Sequence, residues 1–192
     1  MKTLALTTST ALLLAGAATA QVFGPTYGTD LDRDTFGTGF QSTGYYNAVD
    51  INDDTYVDQN EFSTGLYSSY DMDNDLQITE DEFQTGYTNW WGTDGYDTTW
   101  YDTYDVDSSG YLDQSEFGQF YGDEYGDYYA ELDVNDDDLL TEDEYTTGVY
   151  NAADLDRNAV ISIEEEGWFE GWFDGDDIEA EIESVGPVYS DT

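Results

Sequence analysis

Apolar residues along this chain recur in fixed phase with short acidic runs. Tyr46, Tyr67, Tyr101, Tyr129 and Tyr150 each stand four residues ahead of such a run, and Val49, Tyr70, Tyr104, Leu132 and Ala153 stand directly before it. That spacing of three places each pair on one helix face, so it predicts the buried stripe of a helix that runs into the acidic segment. Phe62, Phe83, Phe117 and Tyr145 follow four of the runs and open the apolar face of a helix leaving them. Inside each run one aliphatic position interrupts the polar sequence: Val57, Ile78, Leu112, Leu140 and Ile161. The predicted unit is helix, acidic loop, helix, and the predicted fold class is all-α, an array of short helices.

Each acidic run is twelve residues long, begins with Asp and ends with Glu; the five cover 50–61, 71–82, 105–116, 133–144 and 154–165. In a chain with 45 Asp and Glu residues, alternating acids also arise by chance. A random acidic chain would not keep aromatic and aliphatic positions in step with them. On these residues the chain resembles the EF-hand family of calcium-binding proteins. The resemblance implies loops joined through very short β-strands at the aliphatic eighth position, and oxygen ligands at positions 1, 3, 5, 7, 9 and 12, because Ca²⁺ takes six to eight hard oxygen donors. Carried onto this sequence, the first loop offers Asp50, Asn52, Asp54, the Tyr56 carbonyl, Asp58 through water, and Glu61 as a two-oxygen clamp. The second offers Asp71, Asp73, Asp75, the Gln77 carbonyl, Thr79 and Glu82, and the third Asp105, Asp107, Ser109, the Tyr111 carbonyl, Asp113 and Glu116. In the fourth the set is Asp133, Asn135, Asp137, the Leu139 carbonyl, Thr141 and Glu144; in the fifth it is Asp154, Asp156, Asn158, the Val160 carbonyl, Ser162 and Glu165. The implied cofactor is Ca²⁺, one ion per loop and at most five.

Two departures from the family pattern carry expectations. Position 6, a sharp turn normally given to Gly, is Gly only at Gly110; Thr55, Leu76, Asp138 and Ala159 occupy it elsewhere. A β-branched or aliphatic residue held at positive φ there loses on the order of 1 kcal/mol relative to Gly. Loop starts lie 21, 34, 28 and 21 residues apart, so only nine residues separate the first loop from the second and the fourth from the fifth. One short helix must leave one loop and enter the next, which puts those two loops at opposite ends of it and prevents them from pairing. Pairing is expected between non-neighbours, with a sixth, degenerate loop near 30–40 that starts on Asp30, Asp32 and Asp34 and lacks a clamp Glu. Gly65 and Gly148 sit at the same place in two copies of one helical unit, a position where Gly costs a helix about 1 kcal/mol.

Composition narrows the chemistry. A formal charge of -42 leaves almost nothing to neutralise the carboxylates, so folding should require bound cations, high ionic strength or both. Nucleic acid and anionic membrane are excluded as partners by the lack of Lys and Arg. The 18 Tyr, nine Phe and five Trp separate the chain from a disordered polyanion and predict a core built of rings, Trp90-Trp91 and the cluster of Trp168, Phe169, Trp172 and Phe173 included. With no Cys and no His, thiolate sites, most zinc sites and Ser-His-Asp chemistry are absent.

Residues 1–20 read as a secretory signal: Lys2, an apolar stretch from Ala11 to Ala17, and Ala18-Thr19-Ala20 as cleavage site. The expected organisation is signal 1–20, repeat domain 21–173 and acidic tail 174–192, with a periplasmic or secreted product. The function that follows is calcium binding in a structural or buffering role, with folding coupled to metal and no enzymatic site. No arrangement singles out two carboxylates for hydrolysis. Three alternatives stay open. They are a dockerin-like interaction module with an unidentified protein partner, a calmodulin-like sensor, and a periplasmic lanthanide binder. A sensor would need a Met-rich groove, and Met72 is the one Met beyond the signal. Lanthanide binders usually carry Pro at position 2, where this chain has Ile51, Met72, Val106, Val134 and Leu155.

Overall fold

Four helices begin with the same device, built from the last residues of an acidic run. The ninth residue accepts the N–H of the twelfth, and the twelfth, a Glu, accepts the N–H of the ninth: Asp58 with Glu61, Thr79 with Glu82, Asp113 with Glu116, Thr141 with Glu144. Such a reciprocal box satisfies two donors that a helix start leaves orphaned, so the helix begins where the run ends.

The computed structural model describes residues 30–92, 95–166, 178–186 and 188. The expected signal and the Trp168 to Phe173 cluster lie outside them. The fold is all-α: α1 (Arg33–Thr43), α2 (Tyr45–Val49), α3 (Gln59–Tyr70), α4 (Glu80–Trp91), α5 (Trp100–Tyr104), α6 (Gln114–Leu132), α7 (Glu142–Ala153), α8 (Ile163–Glu166) and α9 (Ile178–Val185). Helices α3, α6 and α7 each leave one acidic loop and enter the next without a break, and α3, twelve residues, is about 18 Å long. Gly44 at φ 75° separates α1 from α2, and Gly92 at φ 80° ends α4.

β-Structure among the described residues is confined to three isolated antiparallel bridges, Leu31 with Ile161, Val57 with Leu140, and Ile78 with Leu112. Each is closed by two backbone hydrogen bonds, for example Val57 N–H to the Leu140 carbonyl and Leu140 N–H to the Val57 carbonyl, both 2.9 Å. The closely spaced loops do not pair with each other. The first joins the fourth, the second joins the third, and the fifth joins the segment at Leu31, so each bridge encloses the next along the chain.

That last contact corrects the expected degenerate loop near 30–40. Leu31 occupies the eighth position, Asp32 caps α1 by accepting the Thr35 N–H at 2.8 Å, and helix starts at Arg33. Asp30 and Asp32 therefore flank a bridging residue, and Asp32 and Asp34 lie at the start of a helix, where a loop was expected to open. The expected acidic tail is also different. α9 packs on α2 and α3, with Ile182, Val185 and Val188 buried. Thr64 donates to the Gly186 carbonyl and Gln114 to the Val185 carbonyl, both at 3.3 Å. The Val188 carbonyl lies so close over Gly118 that a Cβ there would stand 2.2 Å from it. Three buried apolar positions, Ile182, Val185 and Val188, outweigh the acids beside them.

The core is aromatic. Phe62 meets the rings of Trp90, Tyr121, Tyr128, Tyr129 and Tyr145 at centroid distances of 5.8 to 6.5 Å. A second cluster gathers Phe83, Phe117 and Phe120, with Phe83 and Phe120 edge to face at 4.8 Å. Trp90 is buried and Trp91 half-buried, stacked on Tyr125 at 4.1 Å and 12°. Among the described residues no helix is long and apolar enough to cross a membrane.

Candidate metal centres

Every acidic run folds the same way. The first Asp places its two oxygens on the N–H groups of the fifth and sixth residues: Asp50 on Asp54 and Thr55, Asp71 on Asp75 and Leu76, Asp105 on Ser109 and Gly110, Asp133 on Asp137 and Asp138, Asp154 on Asn158 and Ala159, at 2.7 to 3.2 Å. The turn this requires has two left-handed residues, at positions 4 and 6. They are Asp53 and Thr55, Asn74 and Leu76, Ser108 and Gly110, Asp136 and Asp138, Arg157 and Ala159, with φ between 56° and 86°. These nine non-glycine positive-φ residues are all that occur among the described residues, and every one lies in a loop.

The closing Glu reaches back across the turn. One oxygen accepts an N–H near the loop start: Glu61 from Asn52, Glu82 from Met72, Glu116 from Val106, Glu144 from Val134, and Glu165 from Asp156, at 2.8 to 3.2 Å. The other accepts the N–H of position 9, as Glu165 does from Ser162 at 2.9 Å. The first and last acids of each loop are thereby drawn together. In three loops a third joins them: Asp71, Asp73 and Glu82, then Asp105, Asp107 and Glu116, then Asp154, Asp156 and Glu165 each bring one oxygen within 4.8 Å of the others. In the first and fourth loops the third place belongs to Asn52 and Asn135, neutral oxygen donors.

Other expected ligands have local tasks. Asp54 accepts the Tyr56 N–H and Asp137 the Leu139 N–H; Ser109 donates to the Tyr111 carbonyl at 2.9 Å. Asp58 and Asp113 serve as helix caps, and Thr79, Thr141 and Ser162 donate their hydroxyls to the clamp carboxylates at 2.6 to 2.8 Å. Tyr56, Gln77, Tyr111, Leu139 and Val160 stand directly before the bridging residue. Asp75 donates its own N–H to Asp71.

Electrostatically the loops are unbalanced. Asp50, Asp71, Asp133 and Asp154 are buried, as are Glu61 and Glu165. Burial pushes the Glu61 and Asp71 carboxyls above the ordinary carboxylate range, against the pull of their backbone hydrogen bonds. For Glu144, hydrogen bonds from Thr141 and Val134 outweigh burial and hold it below that range. The donor set is hard oxygen throughout, which fits a Group 2 or lanthanide cation and not a soft transition metal.

A tether runs from four of the five entering helices into their loops. The hydroxyl of Tyr46 shares its one proton between the Thr55 carbonyl at position 6 and the Leu140 carbonyl of the paired loop, both 2.9 Å away; Tyr129 does the same with Asp138 at 2.9 Å and Val57 at 2.8 Å. Tyr67 reaches Leu76 at 2.8 Å and Leu112 at 3.4 Å, and Tyr101 reaches Gly110 at 2.7 Å. The fifth tyrosine, Tyr150, is buried and its hydroxyl has no hydrogen-bond partner among the described residues. The phase of these tyrosines was visible in the sequence as a helix face, but the hydroxyl's use was not, since Phe would give the same pattern. The signal for the sixth bridging segment was present too: Leu31 and Phe36 keep the five-residue interval of Val57 and Phe62. Comparison with family models, with curated proteins and with solved structures returns no match.

Proposed function

We propose that this chain is a non-catalytic calcium-binding protein of EF-hand type, exported by its first twenty residues, that takes up one ion in each of five loops and folds as it does so. The observation that supports this most is the burial of the opening Asp in four of the loops, with the closing Glu buried as well in the first and fifth, in a molecule with a formal charge of -42. Buried carboxylates are stable when paired with a cation, and the chain's own cations are too few to supply one per loop. A divalent ion held by Asp71, Asp73 and Glu82, and by the corresponding residues of the other loops, cancels that repulsion.

Calcium would then act on the whole structure, because binding energy that exists only in the folded state adds to folding stability. Calorimetric titration of the chelator-stripped protein is expected to give about five sites, with affinities of about 10⁻⁴ to 10⁻³ M, the range of extracellular modules of this type. Near-UV circular dichroism should be weak in chelator and sharpen as calcium is added. Protein that takes up no calcium at millimolar concentration would sink the proposal.

A further inference from the structure

The described residues contain two cationic side chains, Arg33 and Arg157, and both line a single cleft of about 680 Å³. They arrive from opposite ends of the sequence: Arg33 opens α1, and Arg157 is the fourth residue of the fifth loop at φ 56°. The other loops fill that left-handed position with Asp53, Asn74, Ser108 and Asp136, short polar side chains suited to it. Nothing in the turn calls for a long cation there.

Ring surface faces the same cleft, from Trp91 and Tyr128, both half-buried, and from buried Trp90. The rings are fixed in place. The Trp90 indole N–H donates to Ser69 Oγ at 2.8 Å, that of Trp91 to the Tyr70 hydroxyl at 3.2 Å, and Tyr128 meets Trp91 edge to face at 4.7 Å. Tyr150, with its unused buried hydroxyl, lines the cleft as well. Arg33 lines a neighbouring cleft as well, with Asp34 and Asp143, where one of its nitrogens donates to Thr147 Oγ1; its remaining N–H groups are the ones left for a ligand here.

Two acids share this wall. Asp154 commits both oxygens to loop N–H groups and belongs to the proposed fifth metal site, a step that rests on the calcium reading. With Glu131 and Asp154 set against Arg33 and Arg157, the lining of the cleft is balanced in charge within a strongly anionic molecule. Its volume lies in the range of small-ligand pockets, about 300 to 1,000 Å³.

We propose that this cleft binds an aromatic carboxylate, its ring against Trp91 and Tyr128 and its carboxylate on Arg33 and Arg157. Guanidinium groups recognise planar carboxylates through paired hydrogen bonds, and indole and phenol faces take planar rings. A monoanion also meets less repulsion from the surrounding acidic surface than a phosphate dianion would.

The test titrates the calcium-loaded full chain calorimetrically with 2-naphthoate and with its neutral counterpart, 2-naphthalenemethanol. Naphthoate should bind saturably and about tenfold more tightly than the alcohol, the scale of a charged hydrogen bond. Arg33→Gln and Arg157→Asn should each erase that preference while leaving the alcohol's affinity unchanged; Asn suits the left-handed position, so the fifth loop keeps its backbone. Equal affinity for the two probes, absence of saturation, or a naphthoate preference unmoved by both substitutions would overturn the proposal. Calcium stoichiometry measured on the same samples separates a failure of the metal reading from a failure of the cleft.

Discussion

At the scale of single residues, four of the five loops store backbone strain at position 6, where a side chain other than glycine's holds positive φ. Thr55 and Ala159 are exposed and hold positive φ with nothing gained from packing. Thr55→Gly and Ala159→Gly should each stabilise the calcium-loaded protein by about 1 kcal/mol, and Gly110→Ala should destabilise it by a similar amount. Thermal melts check this; unchanged midpoints would mean that the turns relax freely. Strain at position 6 was legible in the sequence because a glycine is missing there. The left-handed turn at position 4 was not, since the short polar residues that suit it, Asp53, Asn74, Ser108 and Asp136, are of types common along the chain and Arg157 departs from them. The tyrosine tethers give a second residue-scale expectation. Burial, followed by the nearby loop carboxylates, raises the pKa of Tyr46, Tyr67 and Tyr129, and pushes Tyr101 up to about 12; burial likewise pushes Tyr128 up to about 12. Their folded values lie above the unfolded one, so their contribution to stability is intact below about pH 10 and is lost as pH climbs through the folded values. The share of tyrosinate absorbance that these five residues supply, read as the difference from variants with Phe in their places, should therefore stay low past pH 10 and rise together with loss of structure; a share centred near pH 10 would contradict their burial.

At the scale of elements, the residue before a loop packs against the helix that leaves it. Val49 lies over Gly65, Tyr70 over Gly86, and Leu132 over Gly148; in the third unit Tyr104 meets Phe120 at a centroid distance of 5.4 Å. A Cβ at Gly86 would stand 2.5 Å from the Tyr70 ring and one at Gly148 would stand 2.7 Å from Leu132. Gly86→Ala should therefore destabilise the protein by about 1 to 2 kcal/mol despite alanine's helix propensity, because overpacking outweighs it. Gly126, also within a helix, has nothing within 4 Å of its missing Cβ, and Gly126→Ala should stabilise by up to about 1 kcal/mol. If both substitutions stabilise, the close approach at Gly86 is not the reason for glycine there. Helices shared between loops were legible from the nine-residue spacing. The bridging role of Leu31 and the packed helix α9 were not, because acidic residues around Leu31, Ile182 and Val185 concealed short apolar intervals of four and three.

At the scale of the molecule, the charge sets the conditions under which the fold exists. Raising NaCl from about 0.1 M to about 1 M shortens the screening length from about 10 Å to about 3 Å. The chelated protein should therefore gain thermal stability with salt, while the calcium-loaded protein gains much less; a chelated form indifferent to salt would refute repulsion as the opposing force. The aromatic core was predictable from composition, but its division around Phe62 and Phe83 was not, since that depends on which loops meet.

The three bridges carry one further consequence, for the order in which the chain can close. Bringing Val57 to Leu140 directly would cyclise 83 residues, yet once Ile78 holds Leu112 only segments of 21 and 28 residues remain free between those partners. Leu31 and Ile161 likewise need tie down only 26 and 21 more. Closure entropy grows with the length left slack, so assembly from the innermost ring outward keeps every step local. Residues distant in sequence then meet at the cost of short hairpins, and a polyanion whose ends repel each other never has to bring them together in one move.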